Sequence, residues 1–119
     1  KRLNLKVNFN NFKQKSNIIN LINSLTILKS NTSFIKKKEK KLLIANWSIS
    51  ETPLQLRKKI FFLYRKFDYQ LISFQSKFEG IDNISYFEKI ENYNKKRKRK
   101  VKIIPIKKMK NHYYLFCKK

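Results

Sequence analysis

Residues 3–9, LNLKVNF, alternate Leu3, Leu5, Val7 and Phe9 with Asn4, Lys6 and Asn8. That two-residue period predicts a half-buried strand. Ile18, Leu21, Ile22 and Leu25 then recur at helical spacing, with Ser16 as a candidate N-cap. The polar, basic stretch 29–41 reads as a loop, or as the entry to a short helix through KKLLIANW. A plainer helix start follows at SETPLQLRKK, where Thr52 offers a capping oxygen and Pro53 suits the first helical position. Leu56, Ile60, Leu63 and Phe67 form one stripe, leaving Arg57, Lys58, Arg65 and Lys66 on a basic outer surface. This helix is expected to fade over 73–80. The period then returns to two at 84–91, 101–106 and 112–117. These runs predict strands and a hairpin whose far end, 92–100, is almost wholly cationic. Pro105 lacks a ladder donor and belongs on an edge or at a bulge.

Together these segments predict an α+β fold: a small antiparallel sheet packed on about three helices, with an extended basic C-terminal β-hairpin. Neither a repeat nor a Pro/Gly/Ser-rich linker divides the chain. A single domain over 1–119 is expected, with a globular part at 1–83 and the hairpin at 84–117.

Charge changes the picture most. The 119 residues hold 30 Lys and Arg against 7 Asp and Glu, a formal net of +23. A compact body so charged repels itself and is expected to sit beside a polyanion, nucleic acid being the commonest. Aromatics at 14% argue against disorder. Lys95, Lys96, Arg97, Lys98, Arg99 and Lys100 form an unbroken basic run that cannot be buried in protein. Framed by strands, it becomes a finger for a fold of RNA. Lys102, Lys107, Lys108, Lys110 and His112 extend this candidate RNA-binding set, and Lys13 and Lys15 add to it near the start. Tyr86, Tyr93, Tyr113 and Tyr114 lie near these charges and are candidates for stacking on unpaired bases.

Other chemistries find little support. A single cysteine, Cys117, and a single histidine, His112, cannot build a disulfide framework, a thiolate zinc site or a His-rich metal site. Cys117 reads as a small apolar strand residue and His112 as a packing or phosphate-contact residue. One glycine, Gly80, leaves no phosphate-cradling loop. No apolar run approaches the ~20 residues of a spanning helix, and the first residues show no secretory leader pattern. No catalytic set, cofactor, metal or small-molecule substrate is expected. Lys, Asn, Ile, Phe and Tyr exceed half of the chain. Their codons are AT-rich, which suggests an organellar genome or a similarly skewed nuclear one.

The order strand, helix, basic loop, helix, long helix, basic hairpin resembles the ribosomal protein L-twenty-two family of the large subunit. The ending KRKVKIIPIKKMKNHYYLFCKK carries most of the likeness. Arg97, Lys98, Arg99, Lys100 and Lys102 match the family's basic stretch. Ile106, Lys107 and Lys108 resemble its I-x-K-R/K segment, and His112 to Phe116 its H-I-apolar close. IDNISYFEKIENYNKKRK is similar to the outgoing strand, LQLRKKIF to the central helix, and SNIINLINS stands at the first helix. The chain departs from the family at Asn23 and Ser24, where a glycine and cations are usual. Bulky Phe62, Leu63 and Tyr64 replace small residues, and the hairpin is shorter by about half a dozen residues, roughly 10 Å per arm at ~3.3 Å per residue. The resemblance implies ribosomal RNA and neighbouring ribosomal proteins as partners. It also implies a structural, assembly-supporting role and a hairpin directed towards the nascent-peptide exit tunnel. With the codon bias it predicts the ribosome of an organelle, plastid or apicoplast-like or mitochondrial. Alternatives are another small basic ribosomal protein of either subunit, a basic DNA-binding or compacting protein, and a subunit that meets an acidic protein.

Overall fold

A computed structural model describes residues 6–9, 18–21 and 40–119. The chain forms two compact units, Lys1–Glu39 and Lys40–Lys119. In the first, β1 (Lys6–Phe9) and β2 (Ile18–Leu21) pair in parallel, Lys6 opposite Ile18 and Phe9 opposite Leu21. The strand expected at 3–9 is present over its described part. The helix expected from Ile18 is instead a strand at Ile18–Leu21: two adjacent isoleucines on a short apolar run suit an extended chain as well as a helical one. Lys13 and Lys15 lie outside the described residues.

The second unit is α+β, with a small mixed sheet and two helices. Its elements run β3 (Leu42–Asn46), α1 (Leu54–Tyr64), β4 (Tyr69–Gln75), β5 (Lys77–Phe78), β6 (Ile81–Asp82), α2 (Asn83–Lys95), β7 (Lys100–Pro105) and β8 (His112–Lys118). Four strands lie in the order β3-β4-β8-β7. β3 runs parallel to β4, with Ile44 opposite Leu71. β8 is antiparallel to both neighbours: Leu115 faces Ile72 on one side and Ile103 on the other. The sheet is thus mixed rather than antiparallel, because α1 carries the chain back to the end where β3 began. LLIAN, expected to enter a short helix, forms β3.

Two helices, not three, appear among the described residues, and each corrects an expectation. The line of α1 that is buried is Arg57, Ile60 and Tyr64, turned from the expected Leu56 stripe. Arg57, expected on the outer surface, has no exposed surface at all. Pro53 stands immediately ahead of α1 and its carbonyl accepts the Arg57 N–H at 3.1 Å, whereas Thr52 Oγ1 donates to the Ile49 carbonyl at 2.7 Å. The helix stops at Tyr64 and 69–75 is the central strand β4, where Gln70, Ile72, Ser73 and Phe74 are buried.

The second correction is larger. Residues 84–91, expected as the outgoing strand of the hairpin, belong to α2. Asp82 caps it, accepting the Ser85 N–H at 3.1 Å and the Ser85 hydroxyl at 2.7 Å. Asn83, Phe87, Ile90 and Asn94 then fall on one buried line at four-, three- and four-residue steps. Phe87 stacks on Phe74 at 4.1 Å between ring centres. Fully burying a side chain such as Phe87 or Ile90 contributes about 1.5–3 kcal/mol. The C-terminal hairpin is present, but as β7 and β8 around the turn 106–111. Pro105 ends the edge strand β7, as its missing donor requires.

Ahead of α2, β5 and β6 form a small hairpin across Glu79 and Gly80, whose φ angles of 45° and 78° make the mirror-image turn that favours glycine at its second position. Asp68 fastens the far end of the sheet. It pairs with Lys41 in both directions, its Oδ2 accepting the Lys41 N–H at 3.0 Å, and its carbonyl accepts the Lys119 N–H at 2.8 Å.

Candidate nucleic-acid interface

The basic run does not form a strand-framed finger. It closes α2. The N–H of Lys98 donates to the Lys95 carbonyl at 2.9 Å and that of Arg99 to the Asn94 carbonyl at 3.1 Å. These are the paired bonds of a Schellman ending, with Lys98 in the left-handed position at φ 58°. Cations at a helix C-terminus meet its unsatisfied carbonyls, so the charge favours the stop even without a glycine.

The six side chains then separate by task. Lys95 pairs with Glu91 at 3.0 Å, one helical turn back. Arg97 lies over the Tyr93 ring at 4.1 Å, and Tyr93 meets Phe61 of α1 edge-on at 4.9 Å. Arg99 turns inward: Nη1 donates to the Phe67 carbonyl at 3.1 Å and Nη2 to the Arg65 carbonyl at 2.9 Å. It therefore holds the end of α1. Lys96, Lys98 and Lys100 are exposed.

Lys107, Lys108 and Lys110 occupy a second place, the turn 106–111, and are exposed there. This turn is built by the backbone. Met109 N–H donates to the Ile106 carbonyl at 3.0 Å, Ile106 N–H to the His112 carbonyl at 2.8 Å, and Asn111 takes φ 62°. The Ser76 N–H donates to the Asn111 carbonyl at 2.8 Å and pins the turn to the end of β4. His112 Nδ1 lies 2.8 Å from the Lys110 carbonyl. A carbonyl only accepts, so Nδ1 carries the proton. The imidazole also meets Trp47 edge-on at 6.2 Å. Roughly 17 Å of strand β7, at ~3.3 Å per residue, separates this turn from the cluster at the end of α2.

Between the two clusters lies the sheet, whose alternation the register makes explicit. Gln70, Ile72, Phe74, Leu115 and Cys117 face α1 and α2 and are buried. The opposite face is turned away from both helices, and of its residues only Ser73, whose hydroxyl donates to Asn46 Oδ1 at 3.2 Å, is buried. There, Tyr69 stands opposite Lys118 and Lys118 opposite Lys100; Leu71 opposite Phe116 and Phe116 opposite Lys102; Ser73 opposite Tyr114 and Tyr114 opposite Ile104. β3 adds Leu42, Ile44 and Asn46. Phe116 keeps 43% of its surface exposed, Ile104 41%, Leu42 56% and Ile44 58%. A depression of about 750 Å³ on this side continues to Lys95 and Arg99.

Of the tyrosines near the charges, only Tyr114 lies on the open face. Tyr113 stacks on Phe74 at 5.5 Å, Tyr93 carries Arg97, and Tyr86 lies under the Arg57 guanidinium at 4.8 Å. Cys117 is a buried strand residue; burial pushes its thiol up from the ordinary value, offset in part by Arg99.

The interior holds one feature with no sequence signal. Arg57 donates through Nε to the Thr52 carbonyl at 2.7 Å, through Nη1 to Asn83 Oδ1 at 2.7 Å and through Nη2 to the Ser50 carbonyl at 2.6 Å. Asn83 Nδ2 donates to the same Ser50 carbonyl at 3.2 Å. Burial lowers the guanidinium from its ordinary value and the neighbouring Tyr86 and Tyr64 raise it. A guanidinium stays charged in proteins, so two carbonyl dipoles and one amide dipole hold this cation. Burial raises both phenols, Tyr64 far above the usual range with Tyr86 adding to it, and neither hydroxyl is in hydrogen-bonding geometry with a partner.

Among the described residues no cluster of His, Cys, Asp or Glu fits a metal ion, and no helix is long and apolar enough to cross a membrane. The class so defined is an α+β unit with a one-sided mixed sheet and cations at both ends of its edge strand. No family profile, curated protein or solved structure matches the chain.

Proposed function

We propose that the protein is a structural RNA-binding subunit of the large subunit of an organellar-type ribosome, held by ribosomal RNA and neighbouring ribosomal proteins and catalysing no reaction. One observation carries this reading: a folded chain of net charge +23 gathers exposed lysines at the end of α2 and again in the turn 106–111. Two cationic sites at a fixed spacing suit a protein that bridges two RNA segments, since each phosphate neutralised releases counterion. The proposed kinship with the L-twenty-two family is supported by the likeness of the ending at 98–119. That family directs a projecting hairpin to the exit tunnel, whereas here β8 is paired with β4 from His112 to Lys118. The proposal therefore gives the turn 106–111, not a long finger, the contact with RNA.

Sedimentation of the tagged chain with separated ribosomal subunits tests the assignment. Co-migration with the large subunit is expected, and migration with neither overturns it. In filter binding, structured ribosomal RNA should be retained over duplex DNA, with a log affinity that falls by about 0.7–0.9 per phosphate contact for each unit of log salt. Equal retention of both would favour the DNA-compacting reading, and nuclease-resistant co-purification with an acidic protein would favour the protein-interaction one.

A further inference from the structure

We propose that the face of the β3-β4-β8-β7 sheet turned away from α1 and α2 binds unpaired nucleotides, with Phe116 and Tyr114 as base-stacking platforms and Lys100, Lys102 and Lys118 as phosphate contacts. This rests on the RNA-binding reading and adds to it the form of RNA and the surface that takes it.

This face is apolar and basic. Its positions are Leu42, Ile44 and Asn46 on β3; Tyr69, Leu71, Ser73 and Gln75 on β4; His112, Tyr114, Phe116 and Lys118 on β8; and Lys100, Lys102 and Ile104 on β7. Not one is acidic. Apolar side chains on all four strands form a continuous surface whose exposure is unlike that of single scattered residues, which marks an interaction site. A second copy of this chain would oppose lysine to lysine there, so self-pairing is disfavoured by charge. A polyanion with apolar flat groups is favoured on both counts.

Geometry chooses between paired and unpaired nucleic acid. Phe116 and Tyr114 are two residues apart on one face, with ring centres 5.8 Å apart and planes inclined by 56°. A duplex keeps its base faces stacked inside, leaving such rings without a partner. An unpaired strand offers a π-face at every nucleotide, and stacking of this kind tolerates any base. Lys102 stands directly opposite Phe116 and Lys100 directly opposite Lys118, so cations lie one strand away from the stacking row. The depression on this face leads on to Lys95 at the end of α2, which gives a bound strand a continuous cationic exit. β7 is the edge of the sheet, so a strand can enter from that side without crossing another element of the unit.

The test uses the full 119-residue chain and two fluorescent RNAs of equal length, an unstructured oligouridylate and a blunt-ended hairpin whose two strands are joined by a non-nucleotide linker in place of a loop. Wild type should bind both. Phe116→Ala and Tyr114→Ala should each weaken the oligouridylate by about 5- to 150-fold, the range for one lost stacking platform. Hairpin binding should change less than about twofold. Phe116→Trp should retain oligouridylate binding, which separates stacking from a folding defect, and circular dichroism melts check each variant. If the alanine variants bind the oligouridylate like wild type, or lose both RNAs equally while folded, the sheet-face proposal is overturned and the general RNA reading stands. If wild type binds neither RNA, both fall. If Phe116→Ala instead dissolves a dimer seen by sedimentation equilibrium, the face belongs to a second copy.

Discussion

Arg57 Nη1 lies 2.7 Å from Asn83 Oδ1, and this one bond fastens α1 to the first turn of α2 through a guanidinium with no exposed surface. Arg57→Met should cost about 3 kcal/mol of stability, because it removes the donor from Asn83 Oδ1 and the Thr52 carbonyl and leaves the Ser50 carbonyl only its longer bond from Asn83 Nδ2. Asn83→Ala should cost about 2 kcal/mol, since a charged donor then loses its partner. Urea unfolding of both single variants and the double one checks this. The double variant should lose less than the two singles summed, as members of one network do.

Tyr64 and Tyr86 predict an alkaline limit. Their phenols are raised in the folded chain by burial, so above about pH 10 the unfolded chain has shed protons that the folded chain retains. Stability then falls as pH rises through that point. Tyr64→Phe should flatten the fall between pH 9 and 11 in urea titrations followed by circular dichroism. At pH 7 it should change stability by less than about 1 kcal/mol, because it removes a hydroxyl without a hydrogen-bond partner. An unchanged alkaline slope in the variant contradicts this account.

Lys98 separates folding from binding. Its φ of 58° costs a side chain what glycine avoids. Lys98→Gly should raise stability by roughly 0.5–1 kcal/mol while lowering RNA affinity and reducing the salt slope by no more than about one phosphate's share. Thermal melts and filter binding in a salt series read the two effects independently. A stability loss in Lys98→Gly would show that the lysine side chain, not its backbone, holds the helix end.

The edge strand β7 carries Lys100, Lys102 and Pro105, the groups that discourage strand-to-strand association. Replacing Lys102 by Val and Pro105 by Thr together should turn the edge into a pairing surface. Light scattering at tens of micromolar should then show association that wild type lacks, and a monodisperse double variant would refute the guarding role.

The parts of this fold legible in the sequence were those where one chemistry repeats at one period. Strands β7 and β8 alternate because the sheet has an inside and an outside, and Pro105 marks the edge because it cannot donate. The segment 84–91 misleads because Ile84 and Tyr86 mimic a strand beside the true line of Asn83, Phe87 and Ile90. The Asp82–Ser85 cap was the signal that distinguishes them. Arg57 carried no signal at all: the nearby carbonyls of Ser50 and Thr52 and the distant Asn83 side chain make its burial tolerable. The expected RNA-contact set is divided by the fold. Arg99 braces α1, His112 sits against Trp47, Lys96, Lys98 and Lys100 stand at one end of β7, Lys107, Lys108 and Lys110 at the other, and Lys102 lies between them. Lys118 and the open face to which Phe116 belongs went unnoticed because alternation reveals which residues share a face, not whether anything covers it.

The position of β8 has a consequence for how the molecule is made. Made after both of its neighbours yet lodged between β4 and β7, it supplies Leu115 to the centre of the core. Until residues 112–118 have left the ribosome that synthesises them, β7 has no partner and β3 and β4 can pair only with each other, so the four-stranded sheet closes only once that segment is free.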